Sequence, residues 1–161
     1  MLTQKMKQPF KTAQPVLFPP LADRAKWEIL PGAARWAAAG QAALEHAQTA
    51  PELPLSLWLQ FTRSGDRAKW EHAYFARRRT LCALAMAEAV TNRGTYLPAL
   101  ADLAWRICEE SAWQLPAHNS YIRDTPQLPL PDVTRPIVDL FAAETGALIA
   151  TVCGLLGEAL D

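Results

Sequence analysis

The chain has 161 residues, half of them hydrophobic, enough for one domain of ordinary size with a sizeable core, and this excludes a disordered chain. Sixteen Lys and Arg balance 16 Asp and Glu, so no global field draws the protein to nucleic acid or to an anionic membrane; an anion must be met locally. The opening MLTQKMKQPFKTAQPVLFPP has no continuous apolar run and no small-residue cleavage site, so it does not read as a secretory signal, and a cytoplasmic location is expected by default.

Residues 1–22 read as an extended, proline-rich arm, with Pro9, Pro15, Pro19 and Pro20 breaking any periodicity. Residues 23–161 read as one helical domain. A first helix is expected from Asp23, where an Asp can cap free backbone N–H groups, to Leu30, with Pro31-Gly32 stopping it. An alanine-rich helix follows over residues 33–49. Pro51 and Pro54 frame a loop before a short apolar helix or turn carrying Leu55, Leu57, Trp58, Leu59 and Phe61. Ser64-Gly65-Asp66 opens the longest helix, which runs to about Asn92 and closes on Gly94 as a left-handed cap.

Leu100, Leu103, Ala104 and Ile107 follow the i, i+3, i+4, i+7 pattern of an amphipathic helix over residues 96–110. Five prolines between Ser111 and Pro136 exclude a long helix there and favour an ordered surface loop, a place where function often resides. Residues 137–160 return to helix, with Phe141, Thr145, Leu148, Val152 and Leu155 in one stripe. The apolar stretch from Gly146 to Leu156 is too short to span a bilayer and reads as a core helix. Strand alternation is absent, so the expected class is all-α.

Asp23-Arg-Ala-Lys-Trp-Glu28 recurs letter for letter as Asp66-Arg-Ala-Lys-Trp-Glu71, 43 residues on. That offset suits a stacked two-helix repeat; it suits equally two independent helix starts with an Asp before the first turn. Cys82, Cys108 and Cys153 lie in apolar helical patterns without C-x-x-C spacing, and read as buried reduced thiols rather than metal ligands; no metal and no cofactor is expected.

The densest cluster of binding groups is Glu109, Glu110, Ser111, Trp113, His118, Asn119 and Tyr121. Trp113 offers a flat face for a sugar ring, and His118-Asn119 a titratable imidazole beside an amide. The same residues also pack loops onto cores, and spacing alone favours that role. Arg77-Arg78-Arg79 cannot form one clamp, because consecutive helix residues point about 100° apart; a solvated face with one inward Arg is expected. His46 and His72 read as ordinary surface or packing residues. Glu144, four residues from both Leu140 and Leu148, is expected to be drawn inward, where it would brace the loop.

The string CEESAWQLPAHN, followed by LPDVTRPIVDLFAAETGALIATVCGLLGEALD and preceded by RSGDRAKWEHAYFARRRTLCALAMAEAV, resembles the heparinase II/III-like proteins. The resemblance covers residues 23–161. It implies helical hairpins forming part of an incomplete α/α toroid, to which the family adds a β-sandwich. It also implies β-elimination on uronic-acid-containing polysaccharides.

In that chemistry the uronate carboxylate is neutralised so that a base can take the C5 proton, and a proton reaches the departing O4. Carried over, His118 and Asn119 match the groove-lining His and Asn, Trp113 and Tyr121 stand as substrate-binding candidates, and Glu110 and Glu144 as supports. The family's catalytic Tyr and second His are expected beyond Asp161, so the chain is expected to be an N-terminal portion, inactive alone. Its partner would be an anionic polysaccharide, with self-association through exposed helix faces. The alternatives are a non-enzymatic carbohydrate-binding or scaffold module, and a helical adaptor.

Overall fold

The computed structural model of the protein describes residues 18–119, 128–132 and 138–160. Among these the architecture is all-helical: α1 (Arg24–Glu28), α2 (Ala33–Gln48), α3 (Leu55–Ser64), α4 (Ala68–Thr91), α5 (Leu97–Cys108), a 3-10 turn (Pro116–His118) and α6 (Leu140–Leu160). Residues 1–17 of the expected arm lie outside the described residues.

Trp27 of α1 is fully buried, stacks on Phe18 with centroids 6.0 Å apart, and donates from Nε1 to the Pro20 carbonyl at 3.1 Å. The chain entry is therefore pinned to the core. Asp23 does not cap α1; its carboxylate pairs with Lys26 at 2.8 Å, and that hydrogen bond holds its carboxyl below the ordinary carboxylate value. Arg24 instead reaches the far end of α4, donating to the carbonyls of Ala89 at 2.9 Å and of Val90, which sets a cation at a helix C-terminus.

The recurrent hexapeptide gives unequal results: its first copy starts a helix of 5 residues and its second one of 24. Both tryptophans are buried. In the second copy Arg67 takes the N-cap position, and Asp66, one residue before it, accepts the Ala68 N–H at Oδ1 at 3.0 Å. Gly65, expected within the opening of that helix, closes α3 in the left-handed region at φ 75. At the other end Asn92, at φ 49, takes the cap position expected of Gly94, which follows at φ 73. The buried Glu88 carboxylate accepts the N–H groups of Gly94 at 2.6 Å and Tyr96 at 2.9 Å, turning the chain into α5.

α4 is the hub, in contact with α1, α2, α3, α5 and α6. It buries residues all round, which is why no single apolar stripe marks it in the sequence. α2 runs antiparallel to it: Gly40 lies against Ala87, and the Pro51 carbonyl, just past α2, meets Arg77 Nε at 2.8 Å. α5 inserts Leu100, Leu103 and Ile107 into the main core, as its periodicity predicts.

α6 differs from its expectation. Its apolar run continues from Leu140 to Leu160, so the helix is long and apolar enough, by length and composition, to cross a membrane, with a mean hydropathy of 1.7. Only 17% of its most apolar window is buried, through Thr145 and Val152 of the predicted stripe and through Leu156, which takes the buried place expected of Leu155. It is a partly docked helix rather than a core helix, because alanines on its outer side add hydropathy while exposing little apolar surface.

Candidate functional site

A second, smaller core of Trp58, Trp70, Tyr74 and Leu115 supports the loop after α5. Leu115 and Pro116 are buried there, so the 3-10 turn is anchored at its start and presents His118 at its end. His118 Nδ1 lies 2.6 Å from Asp139 Oδ2. The other oxygen, Asp139 Oδ1, accepts from the N–H groups of Phe141 at 2.9 Å and Ala142 at 3.2 Å, so the same carboxylate caps α6. The imidazole stacks on Phe141 at 5.5 Å and 27°.

With Nδ1 held by the carboxylate and the ring braced by Phe141, Nε2 is the nitrogen left for a ligand; the His118 side chain is 34% exposed. Neutral, it presents a lone pair at Nε2; protonated, it presents a donor there.

The other expected site residues are engaged within the protein. Asn119, 7% exposed, donates from Nδ2 to the carbonyls of Leu128 and, at 3.0 Å, of Leu130, while its Oδ1 accepts from Gln114 Nε2 at 2.9 Å. It closes the loop. Trp113 is half-buried and donates from Nε1 to the Ile107 carbonyl at 2.8 Å, with Gly146 of α6 facing its ring. Tyr121 lies outside the described residues.

Glu110 is bound by two buried arginines: Arg78 at 2.6 and 3.0 Å and Arg77 at 3.1 Å. Two arginines therefore face inward where one was expected, and Arg79 is exposed. Glu144 is exposed rather than drawn inward. The buried phase of α6 passes through Phe141, Thr145, Leu148 and Val152, which rotates Glu144 about 100° out of it.

Thr145 fills the inward position. Its hydroxyl accepts from Arg78 Nε at 3.1 Å and lies 2.7 Å from the Tyr74 hydroxyl, which also reaches the carbonyls of Trp113 at 2.7 Å and Phe141 at 3.1 Å. The Arg78 guanidinium sits 3.4 Å from the centroid of the Tyr74 ring. Tyr74, Arg78, Thr145 and Asp139, which sequence reasoning did not select, thus tie α4, the loop and α6 into one unit. Signals were present for Asp139, as an Asp just before an apolar helix, and for Thr145, which stands on the apolar stripe of α6.

Burial pushes the Tyr74 phenol above its ordinary value of 10.0, outweighing the Thr145 hydrogen bond and the Arg78 charge. A raised phenol contributes stability that is present below the unfolded value and lost as pH rises through the folded one. Denaturation followed from pH 8 to 11 is therefore expected to show a steep fall near the top of the range, shallower in Tyr74→Phe.

A groove of about 640 Å³ opens between α2 and α4. It brings His46 of α2 together with His72 and Arg79, which stand seven residues apart on α4. Among the described residues no group of three or more His, Cys, Asp or Glu is placed to hold a metal ion.

The cysteines depart from expectation: Cys82 alone is half-buried, with its thiol pushed up by burial, while Cys108 and Cys153 lie on the outer faces of α5 and α6. A colorimetric thiol reagent is expected to label two thiols fast and the third slowly, and Cys82→Ser to remove the slow phase.

Compared with known proteins, the chain matches no family model and no curated protein.

Proposed function

We propose that this chain is the N-terminal helical portion of a heparinase II/III-like polysaccharide lyase, its helical hairpins forming part of an α/α toroid. In this reading it acts in β-elimination on uronic-acid-containing glycans, with His118 meeting the uronate. The observation that carries the reading is the His118–Asp139 pair: an imidazole oriented through Nδ1, 34% exposed, on a braced loop. Protonated, Nε2 donates to the uronate carboxylate, which lowers the cost of the enolate-like charge formed when the C5 proton leaves. Asn119 and Glu110 act here through position, closing the loop and fastening it to α4.

Among the described residues no hydrogen bond joins His118 to a titratable group other than Asp139. The reading therefore assigns this chain glycan binding and carboxylate neutralisation, not a full proton-transfer set. The engagement of Asn119 and Glu110 inside the protein favours a second reading, a non-enzymatic carbohydrate-binding or scaffold module.

The test is to titrate heparan sulfate and alginate into the chain by calorimetry while following the ultraviolet absorbance of unsaturated product. Binding weakened about tenfold or more by His118→Ala, with the helical circular dichroism unchanged, supports the site. An absorbance gain lost in the same variant supports the lyase, and binding with no gain the module. Indifference of binding to His118→Ala, or no binding of any uronide, overturns both.

A further inference from the structure

Two surfaces lie away from the His118–Asp139 pair. One is the groove along α2 and α4, floored by Ala42, Ala43, Ala76 and Ala83. His46, His72 and Arg79 stand exposed at its rim, and no carboxylate lines it. Its lining recurs every three or four residues from 39 to 50, along α2 and just past its end, and from 72 to 83 on α4, so it extends about 16 Å along the pair. α5 packs against both helices, yet this groove stays open.

The other surface is the outer face of α6, where Ala143, Ala147, Ala150, Gly154 and Glu158 are all exposed at steps of three or four residues. A Cβ added at Gly154 or Gly157 would meet open space. The charged residues of α6 are Glu144 and Glu158, with no Lys or Arg.

These two surfaces complement each other. A helix with small residues outward can approach an alanine-floored seam to an interaxial distance of about 8 Å, the close end of helix packing. Its charges are acidic only, and the exposed charge at the groove's rim is Arg79, Arg77 being bound to Glu110 and Glu52. Glu158 stands on that exposed face, whereas Glu144 lies off it and lines a cavity beside Tyr74 and Thr145, so Glu158 is the carboxylate the face presents.

Lipid is a poorer occupant for α6, because burial in hydrocarbon would leave the two carboxylates without a counter-charge that the groove supplies. We propose that the outer face of α6 of one copy seats in the α2/α4 groove of a second copy, with Glu158 meeting the His46–Arg79 rim. The donor face and the acceptor groove are different patches, so the contact is head-to-tail and extends into rings or chains. It does not rest on the glycan reading.

Sedimentation velocity on the full chain tests this. The wild type is expected to associate as concentration rises. Gly154→Arg, which blocks the face, and Ala42→Arg, which blocks the groove, each alter an exposed position and are expected to weaken association about tenfold or more. An equimolar mixture of these two variants still holds one intact face and one intact groove, and should form a species of two copies and nothing larger.

As a second pair at exposed positions, Arg79→Glu and Glu158→Arg should each weaken association, and their combination in one chain should restore it. A wild type that stays monomeric overturns the proposal, including one that floats with phosphatidylcholine vesicles. So does a mixture of blocked variants that stays monomeric, or an Ala42→Arg variant that associates like the wild type.

Discussion

Glu110→Ala is expected to cost about 3–5 kcal/mol of folding free energy, the loss typical of breaking a buried ion pair. The Glu110, Arg77 and Arg78 side chains are 5%, 5% and 9% exposed, so removing the carboxylate leaves two guanidinium groups with little access to water. Arg77 retains the Pro51 carbonyl and the exposed Glu52; Arg78 retains Thr145, the Tyr74 carbonyl and the face of the Tyr74 ring. None of these replaces a bidentate carboxylate.

The variant should denature at markedly lower urea, and its hydrogen exchange should rise most in the loop and the first turns of α6. Arg78→Met in the Glu110→Ala background should recover part of the loss, because one of the two stranded charges is then gone. A Glu110→Ala chain within about 1 kcal/mol of the wild type would show that the network adds little to stability.

The second large effect is expected at Gly40. A Cβ there would stand 2.5 Å from Cζ of Tyr96 and 2.7 Å from Cβ of Ala87. Neither obstacle can swing aside: Tyr96 is a buried ring and Ala87 lies fully buried on α4. Gly40→Ala should therefore force α2 away from α4, at an overpacking cost of about 1–3 kcal/mol. The better helix propensity of alanine offsets roughly 1 kcal/mol of it.

A fall in melting temperature of a few degrees checks this, and Tyr96→Leu in the same chain should narrow the gap between glycine and alanine at that position. A Gly40→Ala variant that melts with the wild type while Tyr96 is in place would count against the close approach. Gly40 shows how little of this packing is visible in the sequence, where it reads as one small residue in an alanine-rich helix.

Local rules carried the elements. Pro31-Gly32, Gly65 and the Asn92–Gly94 turn punctuate the helices, and the stripe on α5 buried the residues its period selects. Their misreadings were also local. Asp23 paired with Lys26 instead of capping, and the left-handed residue closing α4 was Asn92 rather than Gly94.

The candidate site was half legible. The cluster after α5 and His118 within it follow from composition and loop chemistry. The partner that orients His118 is 21 residues away, and the arginines that bind Glu110 are 32 and 33 residues away.

By itself, the sequence determined the all-helical class, the positions of the helices and the loop that bears His118, because caps, prolines and a 3.6-residue period act within a few residues of chain. Only the tertiary structure decided that Asn119 and Glu110 hold the loop, that Glu144 is left outside the buried face, and that His46 shares a groove with His72 and Arg79. Those outcomes depend on which helix meets which face, and on where buried charges find counter-charges, which is set by packing between segments distant in the chain.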